Sequence, residues 1–169
     1  GSYDLTILVD PNDPEKIYTG GINLWGSLDG GENWYIVSYW VGNPSRKSIH
    51  ADQHFLAYNP LDQKFYACND GGVSRADKIE LAAATALNDL FGYPFQTDWE
   101  DIAGGMQITS FYRIGLNKQQ PGEFIAGTQD NSSWIKKDGE WTGVIGGDGM
   151  EGLFNPDNEQ VIYGSSQYG

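Results

Sequence analysis

Ser27-Leu28-Asp29-Gly30-Gly31-Glu32-Asn33-Trp34 is the stretch on which the fold reading turns. Asp29 can accept backbone N–H bonds inside a tight hairpin, and Gly30 and Gly31 can take positive φ. Trp34 is expected to anchor the next strand in a core. One strand therefore ends near Ser27 and another starts near Asn33.

Working outward, a strand, a turn with Asn or Pro, and a second strand bearing an aromatic residue recur four times. The copies are Ile7-Leu8-Val9-Asp10-Pro11 to Ile17-Tyr18-Thr19-Gly20, Phe55-Leu56-Ala57-Tyr58-Asn59-Pro60 to Phe65-Tyr66-Ala67-Cys68, Tyr112-Arg113-Ile114-Gly115-Leu116-Asn117 to Glu123-Phe124-Ile125-Ala126-Gly127, and Gly152-Leu153-Phe154-Asn155-Pro156 to Val161-Ile162-Tyr163-Gly164. Their aromatic positions are about 40 to 60 residues apart, the spacing of propeller blades that carry insertions. The expected fold is all-β: a β-propeller of four-stranded antiparallel blades, at about 3–38, 50–102, 108–144 and 150–169. Only two strands of the last blade are expected, so about three and a half blades are present and the chain reads as a fragment. Its open edge would be covered by the remaining blades of a parent chain or by a second copy. Gly1-Ser2 reads as a cloning scar.

One helical insertion is expected near 77–91. Asp77-Lys78-Ile79-Glu80 has the form of a capping box, and Ile79, Ala83, Ala86, Leu87 and Leu90 give an apolar stripe. Trp134 and Trp141 are expected to anchor strands on either side of Lys136-Lys137-Asp138-Gly139, a hairpin turn.

Composition narrows the partners. The chain has 169 residues, a formal charge of −13 and ten Lys+Arg against 23 Asp+Glu, so nucleic acid and anionic membranes are poor partners. Neutral glycans, cations and proteins remain. Cys68 is the only cysteine, which excludes an intrachain disulfide and a Cys-rich zinc site. No apolar run reaches the roughly 18 residues of a membrane span.

The Ser27–Trp34 stretch resembles the Asp box, S-x-D-G-G-x-x-W, of bacterial-neuraminidase-type propeller repeats, with Ser27, Asp29, Gly30, Gly31 and Trp34 on the motif. With Tyr3-Asp4-Leu5-Thr6-Ile7, Gly20-Gly21-Ile22-Asn23-Leu24-Trp25, His50-Ala51-Asp52-Gln53-His54, Asn69-Asp70-Gly71-Gly72-Val73, Gly127-Thr128-Gln129-Asp130-Asn131 and Gly146-Gly147-Asp148-Gly149-Met150, the chain looks like the sortilin-like and xyloglucanase-like propeller superfamily. It is further similar to large secreted propeller proteins of Bacteroidetes-type bacteria, which implies a secreted or cell-surface location. Members of the superfamily include glycoside hydrolases, receptors and proteins without catalysis, so fold follows from the resemblance and function does not.

Strand alternation sorts the polar motifs. Asn69, Asp70, Gln129, Asp130 and Asn131 fall on links between second and third strands, and His50, Asp52, His54 and Asp148 on links entering first strands. All are expected at one rim, where loops on a rigid scaffold can bind a glycan or a protein. Asp29 is expected at the opposite end. Trp25, Tyr39 and Trp40 lie near the rim and can stack on sugar faces or pack between blades.

Two sharper readings compete with simple binding. His50, Asp52 and His54 alternate, so an extended backbone directs all three to one face; imidazole and carboxylate suit a divalent metal, with interblade or loop hydrogen bonding as the other reading of the same residues. Spacing of roughly 7 Å along a strand is wide for chelation without a bend. In xyloglucanase-like relatives an Asp of a T-D-x-G-G-type loop is one of two catalytic carboxylates, and Asn69-Asp70-Gly71-Gly72 occupies the similar position. The resemblance thus implies a glycoside hydrolase fragment using Asp70 as the alternative to a non-catalytic module. The family's partner acid belongs to a second propeller outside these residues. Sialidase chemistry lacks its arginine cluster, since only Arg46, Arg75 and Arg113 occur.

Overall fold

The computed structural model describes residues 3–40, 48–81 and 97–169. The chain divides into two compact units, Gly1–Met106 and Gln107–Gly169.

In the first unit, β1 (Thr6–Asp10), β2 (Asp13–Gly20), β3 (Leu24–Ser27) and β4 (Tyr35–Ser38) form an antiparallel sheet in sequence order. A second sheet of the same order holds β5 (Gln53–Asn59), β6 (Lys64–Asn69), β7 (Gly72–Ala76) and β8 (Glu100–Asp101). β5 lies against β1 and β2. Tyr18, Leu24, Val37, Ile49, Leu56, Phe65, Ala67, Ala76 and Trp99 fill the core, with Leu8 and Tyr58 packed against it. The contact includes a polar pin, the Leu56 N–H donating to Thr6 Oγ1 at 3.0 Å.

The second unit repeats the plan. β9 (Phe111–Leu116), β10 (Phe124–Thr128), β11 (Ser133–Lys137) and β12 (Glu140–Ile145) form a four-stranded antiparallel sheet, and β13 (Gly149–Phe154) pairs with β14 (Ile162–Ser166). β13 lies on β9 and β10. Glycines permit the approach: a Cβ on Gly115 would stand 2.0 Å from the Gly152 carbonyl oxygen, and one on Gly127 2.0 Å from that of Met150. Over the described residues the protein is all-β, in three four-stranded antiparallel sheets and a pair, as in partial propeller blades.

A short side chain at the end of each first strand accounts for the repeat. The carboxamide or carboxylate oxygens of Asp10, Asn59, Asn117 and Asn155 accept the amides of Asn12, Leu61, Gln119 and Asp157, each two residues on, at 2.9–3.0 Å. This local bond turns the chain back into the second strand. At 138–139, Asp138 and Gly139 both have positive φ, as a two-residue hairpin requires.

The Ser27–Trp34 turn forms as expected around Asp29. Its carboxylate accepts the Asn33 amide at 2.8 Å, the Asn33 side chain at 2.7 Å and the Ser27 hydroxyl at 2.8 Å, while Ser27 Oγ accepts the Gly31 amide at 2.9 Å. Gly30 and Gly31 have φ of 67° and 100°. These bonds, Asn33 first, hold the Asp29 carboxyl below its usual range. Trp34 departs from expectation: it is 40% exposed, and its indole N–H donates to the Gly31 carbonyl at 2.9 Å, closing the turn from outside the core. Trp141 is likewise exposed, its ring edge-on to Phe124 at 5.3 Å.

The expected helix at 77–91 does not start at Asp77. The Glu80 amide that a capping carboxylate would accept donates instead to Thr97 Oγ1 at 2.9 Å, and Asp77 pairs with Lys64. Ile79 and Leu81 pack against the core from an irregular segment. The remainder of that expectation, 82–91, lies outside the described residues.

Candidate functional site

At one end of the first unit, four pieces of chain meet: the approach to β1, the β2–β3 turn, the link into β5 and the β6–β7 turn. Gln53 joins them. Fully buried, it donates its backbone amide to Gly21 O at 2.9 Å and its side-chain amide to His50 O at 2.5 Å, and accepts from Asn69 Nδ2 at 3.5 Å. Asn69 Oδ1 in turn accepts the Gly71 amide at 3.1 Å, the local turn that presents Asp70.

Asp70 is gripped from two sides. Tyr3 Oη lies 3.1 and 3.3 Å from its two oxygens, and His54 Nε2 lies 2.5 Å from Oδ1. The Tyr3 and His54 rings meet edge to face, centroids 4.9 Å apart at 87°. Each ring therefore orients the other as well as the carboxylate.

Asp52 stands beside this group, with a carboxylate oxygen within 4.8 Å of one on Asp70. Desolvation raises its carboxyl above the ordinary range, reinforced by the charges of Asp4 and Asp70 and a hydrogen bond with Asp4. Such a group keeps its proton in the folded chain over a pH range where the unfolded chain has lost it. Stability therefore falls as pH rises from about 4 through the raised value. Asn carries no charge and tolerates the positive φ of 60° found here. Asp52→Asn is expected to raise the melting temperature by a few degrees at pH 7, with the gain shrinking toward about pH 4; thermal unfolding by circular dichroism at the two pH values measures it.

That backbone kink also changes the expected metal set. Positive φ at Asp52 interrupts the alternation that would place His50, Asp52 and His54 on one face. His54 turns to Asp70, whereas the His50 side chain lies over Gly71, where an added Cβ would meet it at 2.5–2.8 Å. Among the described residues, the two histidines belong to no cluster of three potential ligands. The bond between His54 and Asp70, sixteen residues apart, and the role of Tyr3 escaped sequence reasoning.

The β2–β3 turn is also tied to a segment that carries aromatic side chains. Gly21 sits beside Asp4, and Asn23 Oδ1 accepts the Trp40 amide at 3.1 Å. Trp40 is half exposed, with Tyr39 at 6.3 Å between centroids, while Trp25 is partly buried within β3.

In the second unit, Asp148 Oδ1 accepts the Asp130 amide at 2.6 Å, with Asp130 at a φ of 56°. Gln129 donates its amide to Ser110 O at 2.9 Å, its own carbonyl accepts Asn131 Nδ2 at 3.0 Å, and Asn131 O accepts the Trp134 indole at 2.6 Å. These bonds brace the β10–β11 turn against the entry to β13.

Among solved structures, the chain is similar to the GH74 xyloglucanase from Xanthomonas campestris, at 14% sequence identity and a TM-score of 0.37, over 92% of this chain and 25% of that one. It thus spans about a quarter of the length of that enzyme. No protein-family model and no curated protein matches it by sequence.

Proposed function

We propose that this chain is an extracellular β-propeller module that binds a neutral glycan at the Asp70 end of its first unit without cleaving it. The observation that carries the reading is the Asp70 carboxylate held between the aromatic side chain of Tyr3 and His54, in register with Asp52. A fixed carboxylate accepts sugar hydroxyls, an aromatic face covers the apolar side of a pyranose, and little ordering is left to be done on binding. The charge of −13 disfavours anionic ligands. Resemblance to secreted propellers supports the location, and a protein ligand is the competing occupant.

The spacing of Asp52 and Asp70 favours one second reading, glycoside hydrolysis. A retaining mechanism uses two carboxyls about 5 Å apart, one protonated and one ionised. Asp52, with its raised carboxyl, would be the acid and Asp70 the nucleophile. Both readings meet in one assay on a panel of neutral polysaccharides, reading retention and new reducing ends for the wild type and Asp70→Asn. Retention without reducing ends, weakened by the substitution, supports the binder. Reducing ends that disappear in Asp70→Asn support the enzyme, and the absence of any retention overturns the proposal.

A further inference from the structure

Within the pair of Asp70 and His54, the imidazole is the more accessible partner. The Asp70 side chain is 11% exposed, against 35% for His54. Both Asp70 oxygens already have partners inside the protein, with Tyr3 Oη lying between the two and His54 Nε2 on Oδ1. A ligand arriving at this end therefore meets more of the ring than of the carboxylate behind it.

An ionised carboxylate can only accept, so its bond to Nε2 requires the proton of the neutral imidazole to sit on that nitrogen. Nδ1 is left with a lone pair, directed away from Asp70 across the ring. Among the described residues, Nε2 is the one ring nitrogen of His54 that enters a hydrogen bond. The Tyr3 ring, edge-on with centroids 4.9 Å apart, restrains the imidazole plane. The backbone that carries His54 is held as well, because the preceding Gln53 is fully buried and bonded to Gly21, His50 and Asn69. An acceptor fixed in this way before a ligand arrives leaves little ordering to be done on binding.

We propose that His54 Nδ1 is the specificity-determining acceptor of this site, taking a hydroxyl proton donor of a neutral glycan, and that Asp70 is the residue that positions it. The inference rests on the glycan reading above and assigns the atom through which that ligand is chosen. Asp70 and Asp52, with carboxylate oxygens within 4.8 Å of each other, favour the positive end of an approaching O–H and disfavour an anion. A ligand group that can only accept, such as an ether oxygen or a carboxylate, meets the Nδ1 lone pair and is rejected. The site thus selects sugars by free hydroxyls.

Glutamine separates the roles of the two ring nitrogens. In His54→Gln the side-chain nitrogen falls where Nε2 does, so the bond to Asp70 is kept while the Nδ1 acceptor is lost. Affinity electrophoresis against hydroxyethyl cellulose, mixed-linkage β-glucan and galactomannan is expected to show His54→Gln bound at least about tenfold more weakly than the wild type, with its melting temperature little changed by circular dichroism. Wild-type affinity in His54→Gln would make the histidine only a brace for Asp70 and overturn the proposal. The wild type gives a second readout that no misfolded variant can spoil, nitrogen NMR of its imidazoles at about pH 9, above the ordinary imidazole range. His54 is expected to carry its proton on Nε2, and a short oligosaccharide of the retained polymer to move the Nδ1 resonance. A proton on Nδ1 overturns the proposal whatever the gels show. A bare Nδ1 with no retardation of the wild type by any of the three polymers overturns the glycan reading, and the ligand assigned here with it.

Discussion

Gly127→Ala is expected to destabilise the Gln107–Gly169 unit by about 3 kcal/mol or more, beyond the usual range for overpacking. The added methyl would stand 2.0 Å from Met150 O and 2.4 Å from Gly149 O. Both obstacles are backbone, so no side-chain rotation relieves them, and β13 must move off β10. Separation would uncover Ile125, which is 1% exposed. Gly146→Ala is the control, since nothing lies within 4 Å of its added Cβ, and its effect should stay within about 0.5 kcal/mol. Urea unfolding followed by tryptophan fluorescence compares the two, and equal midpoints would refute the packing of β13 on β10.

The second large effect is expected at Tyr18. Its ring is covered by Phe65 and its hydroxyl donates to Asp10 Oδ2 at 3.0 Å. Burial, with Asp10 beside it, drives the phenol well above its ordinary pKa, so it stays a donor throughout the working pH range. Tyr18→Ala opens a ring-sized cavity between the first two sheets and should cost about 3–5 kcal/mol. Tyr18→Phe keeps the ring and removes one hydrogen bond, at about 1 kcal/mol. Asp10 still accepts the Asn12 amide in that variant, so its carboxylate is not stranded. Chemical denaturation gives both values, and a Tyr18→Phe loss equal to that of Tyr18→Ala would assign the stability to the hydroxyl in place of the packing.

What the sequence made legible was local. The Asn or Asp that closes each first strand acts within two residues, and Gly30 and Gly31 declare positive φ by their identity, so strand order followed. Trp34 was misread because an indole beside a turn has two ways to be useful, burial or donation to a turn carbonyl, and composition does not distinguish them. The capping box expected at Asp77 did not form because its groups found partners distant in sequence, Lys64 and Thr97. At the candidate site, Asn69, Asp70, His50, Asp52 and His54 were identifiable as polar residues in strand links. Their geometry was not, because one residue at positive φ, Asp52, reverses the facing of its neighbours, and because Tyr3 and Gln53 reach the site only through tertiary packing.

The central claim is that the Asp70 end of the first unit binds and the Asp29 end only holds a turn. Affinity electrophoresis in gels containing soluble neutral polysaccharides tests it most directly, using the wild type, Asp70→Ala and Asp29→Ala. The account predicts that at least one polysaccharide retards the wild type, that Asp70→Ala weakens the interaction at least about tenfold, a loss of about 1.4 kcal/mol, and that Asp29→Ala leaves it unchanged. Retardation that survives Asp70→Ala and is lost in Asp29→Ala would contradict it.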